Sequence, residues 1–256
     1  MYAPQKHVLT FFAVTLLVFS VGHTAVAEVI DPTNCTITAV NEWGSREAAH
    51  ALDGSGLNPV EGDTGAVHTG LANPNYIAWH SLILGTTAEP AIEHSWLIVG
   101  LGGSCNTDSI NLWNYNHEGG YESETPTGEL ARGVKDFNLW IRNDGTAGNN
   151  THGSGAVFDS TGWTQVSSNN TLQPGTGLDG YLGESFSLTG NATHVAIEIL
   201  SNHEGTVTAN GTLSDGYGLG TIVGLSEVRV FSAVPEPSTL VLLMLAGCMV
   251  FLKRAR

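Results

Sequence analysis

Two histidine–glutamate pairs, His117-Glu118 and His203-Glu204, are the residues that could most directly do acid–base or metal chemistry. The zinc-protease motif H-E-x-x-H needs a second histidine, and neither pair is followed by one. The chain also lacks the Gly-x-Ser-x-Gly turn that presents a nucleophilic serine, and nothing marks a carboxylate pair for glycoside hydrolysis. We therefore expect a protein that is not an enzyme, with a hydrolase as the least favoured alternative.

The chain has three cysteines, and none stands in a Cys-x-x-Cys or Cys/His spacing that is typical of zinc. Cys248 lies in an apolar run near the C-terminus and is expected to be a small apolar side chain there. Cys35 and Cys105 are the right number for one disulfide in a protein that leaves the cytoplasm. The alternative is that both are buried free thiols.

The first 27 residues have the three-part pattern of a secretory signal. Lys6 and His7 precede an apolar run from Val8 to Phe19, and small residues end in Ala25-Val26-Ala27. The run of about 12 residues is shorter than the roughly 20 that a membrane span needs. We expect a signal peptidase to cut after Ala27, with an uncleaved N-terminal anchor as the alternative.

The other end of the chain, residues 234–256, also has three parts. Pro235-Glu236-Pro237 precede an uncharged run at about 239–252, and Lys253-Arg254-Ala255-Arg256 close the chain. This order resembles the PEP-CTERM sorting signal. The resemblance implies a transmembrane helix that holds the exported protein in the inner membrane until an exosortase-type protease cuts near the motif. The protein would then reach the cell surface or extracellular matrix; an ordinary single-span anchor is the alternative.

Residues 28–233 remain between these ends and fit one large domain. They hold five Lys and Arg against 23 Asp and Glu, a net charge of 5 − 23 = −18. Such a surface repels phosphate groups, so binding to nucleic acid or to anionic lipid is disfavoured.

The pattern of residues 28–233 predicts an all-β fold. No stretch has the periodicity of a long amphipathic helix, and short runs of β-branched and aromatic residues alternate with Gly, Asn, Thr and Ser. Nine strands at this spacing favour an antiparallel sandwich or jelly roll. The predicted strands are 35–40, 76–80, 96–101, 109–115, 134–142, 163–166, 184–188, 194–200 and 222–231.

Seven sequence elements along this domain occur in an order that resembles the discoidin, or coagulation-factor type C, family, whose members have a galactose-binding-like jelly roll. The elements are Ala49–Gly56, Trp96–Gly102, Ile110–Asn116, Arg132–Phe137, Trp163-Thr164, His194–Ile199 and Val223–Phe231. Gly100 stands where the family usually has an aspartate, and His194 and Glu198 replace basic residues, so no particular sugar is implied.

The resemblance implies a structural Ca²⁺ that joins the Asp-Gly loop to the final strand. The ligands would be the side chains of Asp53 and Glu227, the carbonyls of His50 and Ser55, and Thr69 or Thr64, since calcium takes six to eight oxygens. The alternative is that Asp53 forms a turn with its own backbone and that Glu227 is a solvated strand residue.

The resemblance also implies a ligand site in the loops at one end of the sandwich, where rings and polar side chains would hold a sugar. The segment from Asn116 to Tyr121 directly follows a predicted strand, as a binding loop should. The candidate residues are His80, Asn116, His117, Glu118, Tyr121, Asn202 and His203.

The predicted function is therefore an exported surface or matrix module that binds carbohydrate or exopolysaccharide and is stabilised by Ca²⁺. A structural or adhesive surface protein without a small-ligand site is the alternative.

Overall fold

The structure, a computed structural model, describes residues 27–42, 44, 46–60, 62, 65–69, 78–81, 95–116, 129–153, 156–203 and 222–233. Glu28–Ala233 form one compact unit. Residues 1–26 of the predicted signal peptide, the tail helix and the sorting residues Pro235, Glu236 and Pro237 lie outside the described residues.

The described part of the chain consists of strands and three short 3-10 helices, Pro32–Asn34, Ala48–Ala51 and Glu129–Arg132. This confirms the predicted all-β jelly-roll class. The strands are β1 (Glu28–Val29), β2 (Thr36–Ala39), β3 (Leu57–Asn58), β4 (Val67–His68), β5 (Trp79–His80), β6 (Ser95–Asn114), β7 (Asp136–Arg142), β8 (Thr164–Thr171), β9 (Glu184–Ile199) and β10 (Gly224–Ser232).

The described strands pair in the order β1-β10-β6-β9-β7-β8, with β2 also on β6 and β5 also on β10. Every one of these pairs is antiparallel. β3 and β4 form a separate small hairpin-like pair.

The two longest strands, β6 and β9, form one continuous ribbon that belongs to both layers of the sandwich. Its register shifts between Gly100 and Cys105, and again between Thr107 and Ser109. β10 pairs with the second half of β6, whereas β2 pairs with the first half and β7 with the matching half of β9. Such irregularities bend a ladder, so the two halves of the ribbon face each other.

This bend brings both ends of the ribbon to one end of the sandwich, which we call the loop end. There the side-chain amide of Asn114, the last residue of β6, donates to the carbonyl of Val134 at 2.7 Å. Val134 lies just before β7 and bridges to Asn202, just after β9. β10 also begins here, at Gly224.

The core lies between the two layers and follows the alternation read from the sequence. In β7, Phe137, Leu139 and Ile141 point inward and are buried, while the residues between them are half-buried. Trp79, Trp96 and Trp113 are completely buried. The strand predicted at 134–142 is therefore present as β7, with one face in the core.

Candidate functional site

The early acidic turn lies directly against the last strand, as the sequence predicts. The backbone N–H of Gly54 donates to Oε2 of Glu227 at 3.2 Å, although 173 residues separate them. We call this contact the junction, and define it as the described residues of Leu52–Gly62 together with Glu227 and Arg229. It joins the loop before β3 to β10.

The Asp53 carboxylate at the junction is turned toward its own loop. Oδ1 accepts from the backbone N–H of Ser55 at 2.7 Å, and Oδ2 lies 2.9 Å from Nδ1 of His50. Asp53 therefore forms the turn with its own backbone that was the alternative to a calcium ligand. The side chain is 40% exposed and so still faces solvent.

Glu227, in contrast, is completely buried, so the interpretation as a solvated strand residue is wrong. Its Oε1 accepts from Nη1 of Arg229, two residues further along β10 and also buried. Burial raises the pKa of Glu227 to about 8, while the charge and hydrogen bond of Arg229 act in the opposite direction.

Thr69 lies on the far side of the same loop. Its backbone N–H and its hydroxyl both donate to the carbonyl of Gly56, at 2.9 and 3.3 Å. Next to it, His68 is completely buried, with Nδ1 2.7 Å from the Thr69 carbonyl. Thr64, the alternative calcium ligand, lies outside the described residues.

As they stand, the residues at the junction do not fit a resident Ca²⁺. Glu227 bonds a guanidinium and a backbone N–H, and a guanidinium beside the carboxylate opposes a second cation. No group of three or more His, Cys, Asp or Glu side chains in the described ranges is placed to hold a metal ion. Calcium binding through Asp53, Glu227, His50, Ser55 and Thr69 stays a prediction of the family resemblance.

Asn116 lies at the loop end, where a ligand residue was predicted, but it is 1% exposed and bonds to backbone. Its Oδ1 accepts from the N–H of Gly177 at 2.7 Å, and its Nδ2 donates to the carbonyl of Leu178 at 3.1 Å. Its own N–H donates to Oγ of Ser226 at 3.1 Å. Asn116 thus holds the 172–183 loop and the start of β10 against the end of β6.

His203 lies at the same end and is half-buried. Its Nε2 lies 2.9 Å from the carbonyl of Leu172, so the ring donates there. Burial lowers the pKa of His203, and the nearby charge of Lys135 lowers it further. Asn202, its neighbour, is buried and donates to the carbonyl of Ile222 at 2.9 Å.

The other predicted ligand residues are placed only through the backbone. His80 pairs with Gly224 at the start of β10, which brings it to the loop end. His117, Glu118 and Tyr121 lie outside the described residues and directly follow Asn116 in the chain. Their roles as ligand residues stay predictions.

Two residues that organise these sites were not singled out from the sequence. Asn114 donates to the carbonyls of Val134 and Gln173, both at 2.7 Å, and so pins two loops to the end of β6. Arg229 does the same at the junction. One feature of the sequence could have indicated the role of Arg229. It lies two residues after Glu227, and residues with that spacing share one face of a strand.

Cys35 and Cys105 are free, half-buried thiols that pack against the same core. Burial raises the pKa of Cys35 to about 11, and the neighbouring Cys105 thiol raises it further. The predicted disulfide between them stays a prediction.

Residues 233–256 match the PEP-CTERM protein-sorting motif, which confirms the interpretation of the tail. The motif indicates an exported protein with C-terminal anchoring and processing. Among the residues that the structure covers, no helix is long and apolar enough to cross a membrane. No curated protein matches the chain.

Several solved structures are similar to this chain. One is the family 32 carbohydrate-binding module from Clostridium perfringens NanJ in complex with galactose, with 15% identity, 81% of this chain and 100% of that chain covered, and a TM-score of 0.45. Another is a Streptococcus pneumoniae fucose binding module, with 14% identity, coverage of 82% and 99%, and a TM-score of 0.42.

A family 89 glycoside hydrolase from Clostridium perfringens is also similar, with 16% identity and a TM-score of 0.39; the match covers 82% of this chain but only 16% of the hydrolase. Each of these is a structural likeness at low sequence identity, and no ligand of this chain follows from it.

Proposed function

We propose that this protein is an exported carbohydrate-binding module whose binding surface lies at the loop end of the sandwich. The observation that carries the proposal is the set of buried amides there. Asn114, Asn116 and Asn202 each bond the backbone of distant segments and so hold several loops in one arrangement. Loops that are already ordered lose less entropy when they bind a ligand.

The segment that follows Asn116 would supply the contacts to the sugar. A ring such as that of Tyr121 can stack on the apolar face of a sugar, while His117 and Glu118 can bond its hydroxyl groups. Because Asn116 is fixed between the 172–183 loop and β10, this segment starts from a rigid point.

The charge of the domain favours a neutral glycan. With a net charge of −18 for residues 28–233, from five basic and 23 acidic residues, a polyanionic polysaccharide would be repelled. A neutral exopolysaccharide at the cell surface would not be. Signal peptidase and an exosortase-type protease are the proposed processing partners, with a membrane-anchored intermediate before the surface or matrix form.

The test is a glycan array with the domain of residues 28–233, carrying neutral and acidic glycans side by side. We expect binding to neutral glycans. Tyr121→Ala and His117→Ala should each weaken it at least about tenfold, which corresponds to about 1.4 kcal/mol. Asn191→Ala is the matched control, because Asn191 is exposed on the bend of β9, away from the loop end.

Absence of binding by a domain that melts cooperatively would contradict the proposal and support the structural or adhesive alternative. Binding that is lost equally in the Asn191→Ala control would place the surface elsewhere on the domain.

A further inference from the structure

A buried guanidinium occupies the junction between the Asp53 loop and the last strand. Only 1% of the Arg229 side chain is exposed. Its Nη1 donates to the carbonyl of Leu52 at 3.0 Å and to Oε1 of Glu227, and its Nη2 donates to the carbonyl of Val60 at 3.1 Å. One cation thus binds both sides of the loop and the carboxylate on β10.

The loop is shaped around this guanidinium. Gly54 and Gly62 both have positive φ angles, +77° and +68°, which favour glycine. A Cβ atom at Gly54 would lie 2.9 Å from Nη2 of Arg229, and one at Gly62 would lie 2.7 Å from its Nε. A side chain at Gly62 would therefore push the guanidinium away, and one at Gly54 would also clash with the Val60 carbonyl that accepts from it.

These contacts are those that a structural Ca²⁺ would make: backbone carbonyls of the loop and a carboxylate of the last strand. A guanidinium carries one positive charge where calcium carries two, but its donors lie in a fixed plane, so it can satisfy carbonyl and carboxylate oxygens together. Because Glu227 is completely buried, some cation must lie beside it when it is ionised.

We propose that Arg229 is the resident cation of the junction, so that the Asp53 loop stays docked on β10 without a metal ion. The inference does not depend on the proposed sugar binding. It replaces the calcium of the family resemblance with a side chain of the protein itself.

The experiment compares thermal unfolding of the 28–233 domain in millimolar Ca²⁺ and in excess chelator. The variants are Arg229→Met, which keeps an unbranched side chain about as long as the aliphatic stem of arginine but removes the charge, and Arg142→Met as the control. Arg142 pairs with Asp144, also two residues away, but that carboxylate is 51% exposed. The Arg142–Asp144 pair therefore has the same sequence spacing as the Glu227–Arg229 pair but is much more exposed.

We expect the wild-type melting temperature to be the same with calcium and with chelator. Arg229→Met should lower it by about 10 °C, because it leaves a buried carboxylate unpaired, whereas Arg142→Met should change it by only a few degrees. Adding Glu227→Gln to Arg229→Met should recover part of the loss, since no buried charge then remains. Proteolysis within residues 53–62 should quicken in Arg229→Met only.

A wild-type melting temperature that falls on chelation and returns with Ca²⁺ would overturn the inference, because a metal ion would then hold the loop. Arg229→Met melting within a few degrees of Arg142→Met would overturn it as well. If Arg229→Met does not fold, Arg229→Lys replaces it, since lysine keeps the charge but cannot reach both carbonyls. We then expect a smaller fall in melting temperature for Arg229→Lys, and still no effect of chelator on the wild type.

Discussion

At the scale of single residues, the polar side chains of the loop end mainly hold backbone in place. Asn114, Asn116 and Asn202 lie where a ligand site was predicted, yet each is buried and bonded to carbonyl or N–H groups far away in sequence. A buried amide left without these partners costs free energy, so such residues define one loop arrangement. In the proposed function, contact with a ligand is therefore assigned to the segment that follows Asn116.

Replacing Asn116 tests this role. Asn116→Ala leaves the N–H of Gly177 and the carbonyl of Leu178 without their present partner, and should lower the free energy of unfolding by about 1–3 kcal/mol. Denaturant unfolding of the 28–233 domain measures the change, and the exposed Asn191→Ala should stay within about 0.5 kcal/mol of wild type. Equal stability of the two variants would contradict the assignment.

The candidate calcium residues show what a sequence can and cannot predict for single residues. The family resemblance implies that the Asp53 loop approaches Glu227, and the structure has the backbone N–H of Gly54 in contact with Glu227. The burial of Arg229 could not be predicted in this way. Its partners in the loop are the backbone carbonyls of Leu52 and Val60, which carry no side-chain signature.

At the scale of elements, the difference between prediction and structure concerns β6 and β9. The sequence predicts separate strands at 96–101 and 109–115, and at 184–188 and 194–200, because the segments between them are rich in Gly, Ser, Asn and Thr. These polar segments instead pair with each other, through Cys105 with Ala192 and Asn106 with Asn191. The residue types of these segments favour turns. Their hydrogen bonds to each other, between positions far apart in sequence, nevertheless keep β6 and β9 paired along their length.

Two adjacent glycines at the bend allow a matched test. Gly102 has φ of +71°, and a Cβ there would lie 2.4 Å from the carbonyl oxygen of Asn34, whereas a Cβ at Gly103 would meet nothing within 4 Å. Gly102→Ala should therefore cost about 1–3 kcal/mol of stability, while Gly103→Ala should be nearly neutral. Hydrogen exchange of β6 would report the loss, and similar exchange in both variants would argue against a bend shaped by Gly102.

At the scale of the whole molecule, the compact unit of residues 28–233 begins and ends at neighbouring positions. Glu28 and Val29 of β1 pair with Ser232 and Phe231 of β10, so the first and last residues of the compact unit lie side by side. Residues 28 and 232, close to the points where the predicted signal peptide and the sorting tail join the domain in sequence, therefore lie at the same edge of the domain. β10 runs from the loop end to this edge, which leaves the loop end at the far end of the strand.

A disulfide between Cys35 and Cys105 would link two distant segments of the exported domain. It would close a loop of roughly 70 residues and add about 4 kcal/mol of stability in the chain-entropy treatment. We expect protein isolated after export to be two hydrogen atoms lighter than the reduced form, and to melt lower after reduction or in Cys35→Ser. Full thiol labelling of unfolded, unreduced protein would rule the disulfide out.

The sequence by itself determined the all-β class and the sorting tail, and its family resemblance implied a contact between an early acidic turn and the last strand. The first two follow from local properties, namely the short apolar runs between turn residues and the composition of the tail. Only the tertiary structure decided that β6 and β9 bend as one ribbon, that Asn116 faces backbone and that Arg229 is buried beside Glu227. Each of these depends on oxygen and nitrogen atoms of distant backbone, whose positions exist only once the two layers have packed.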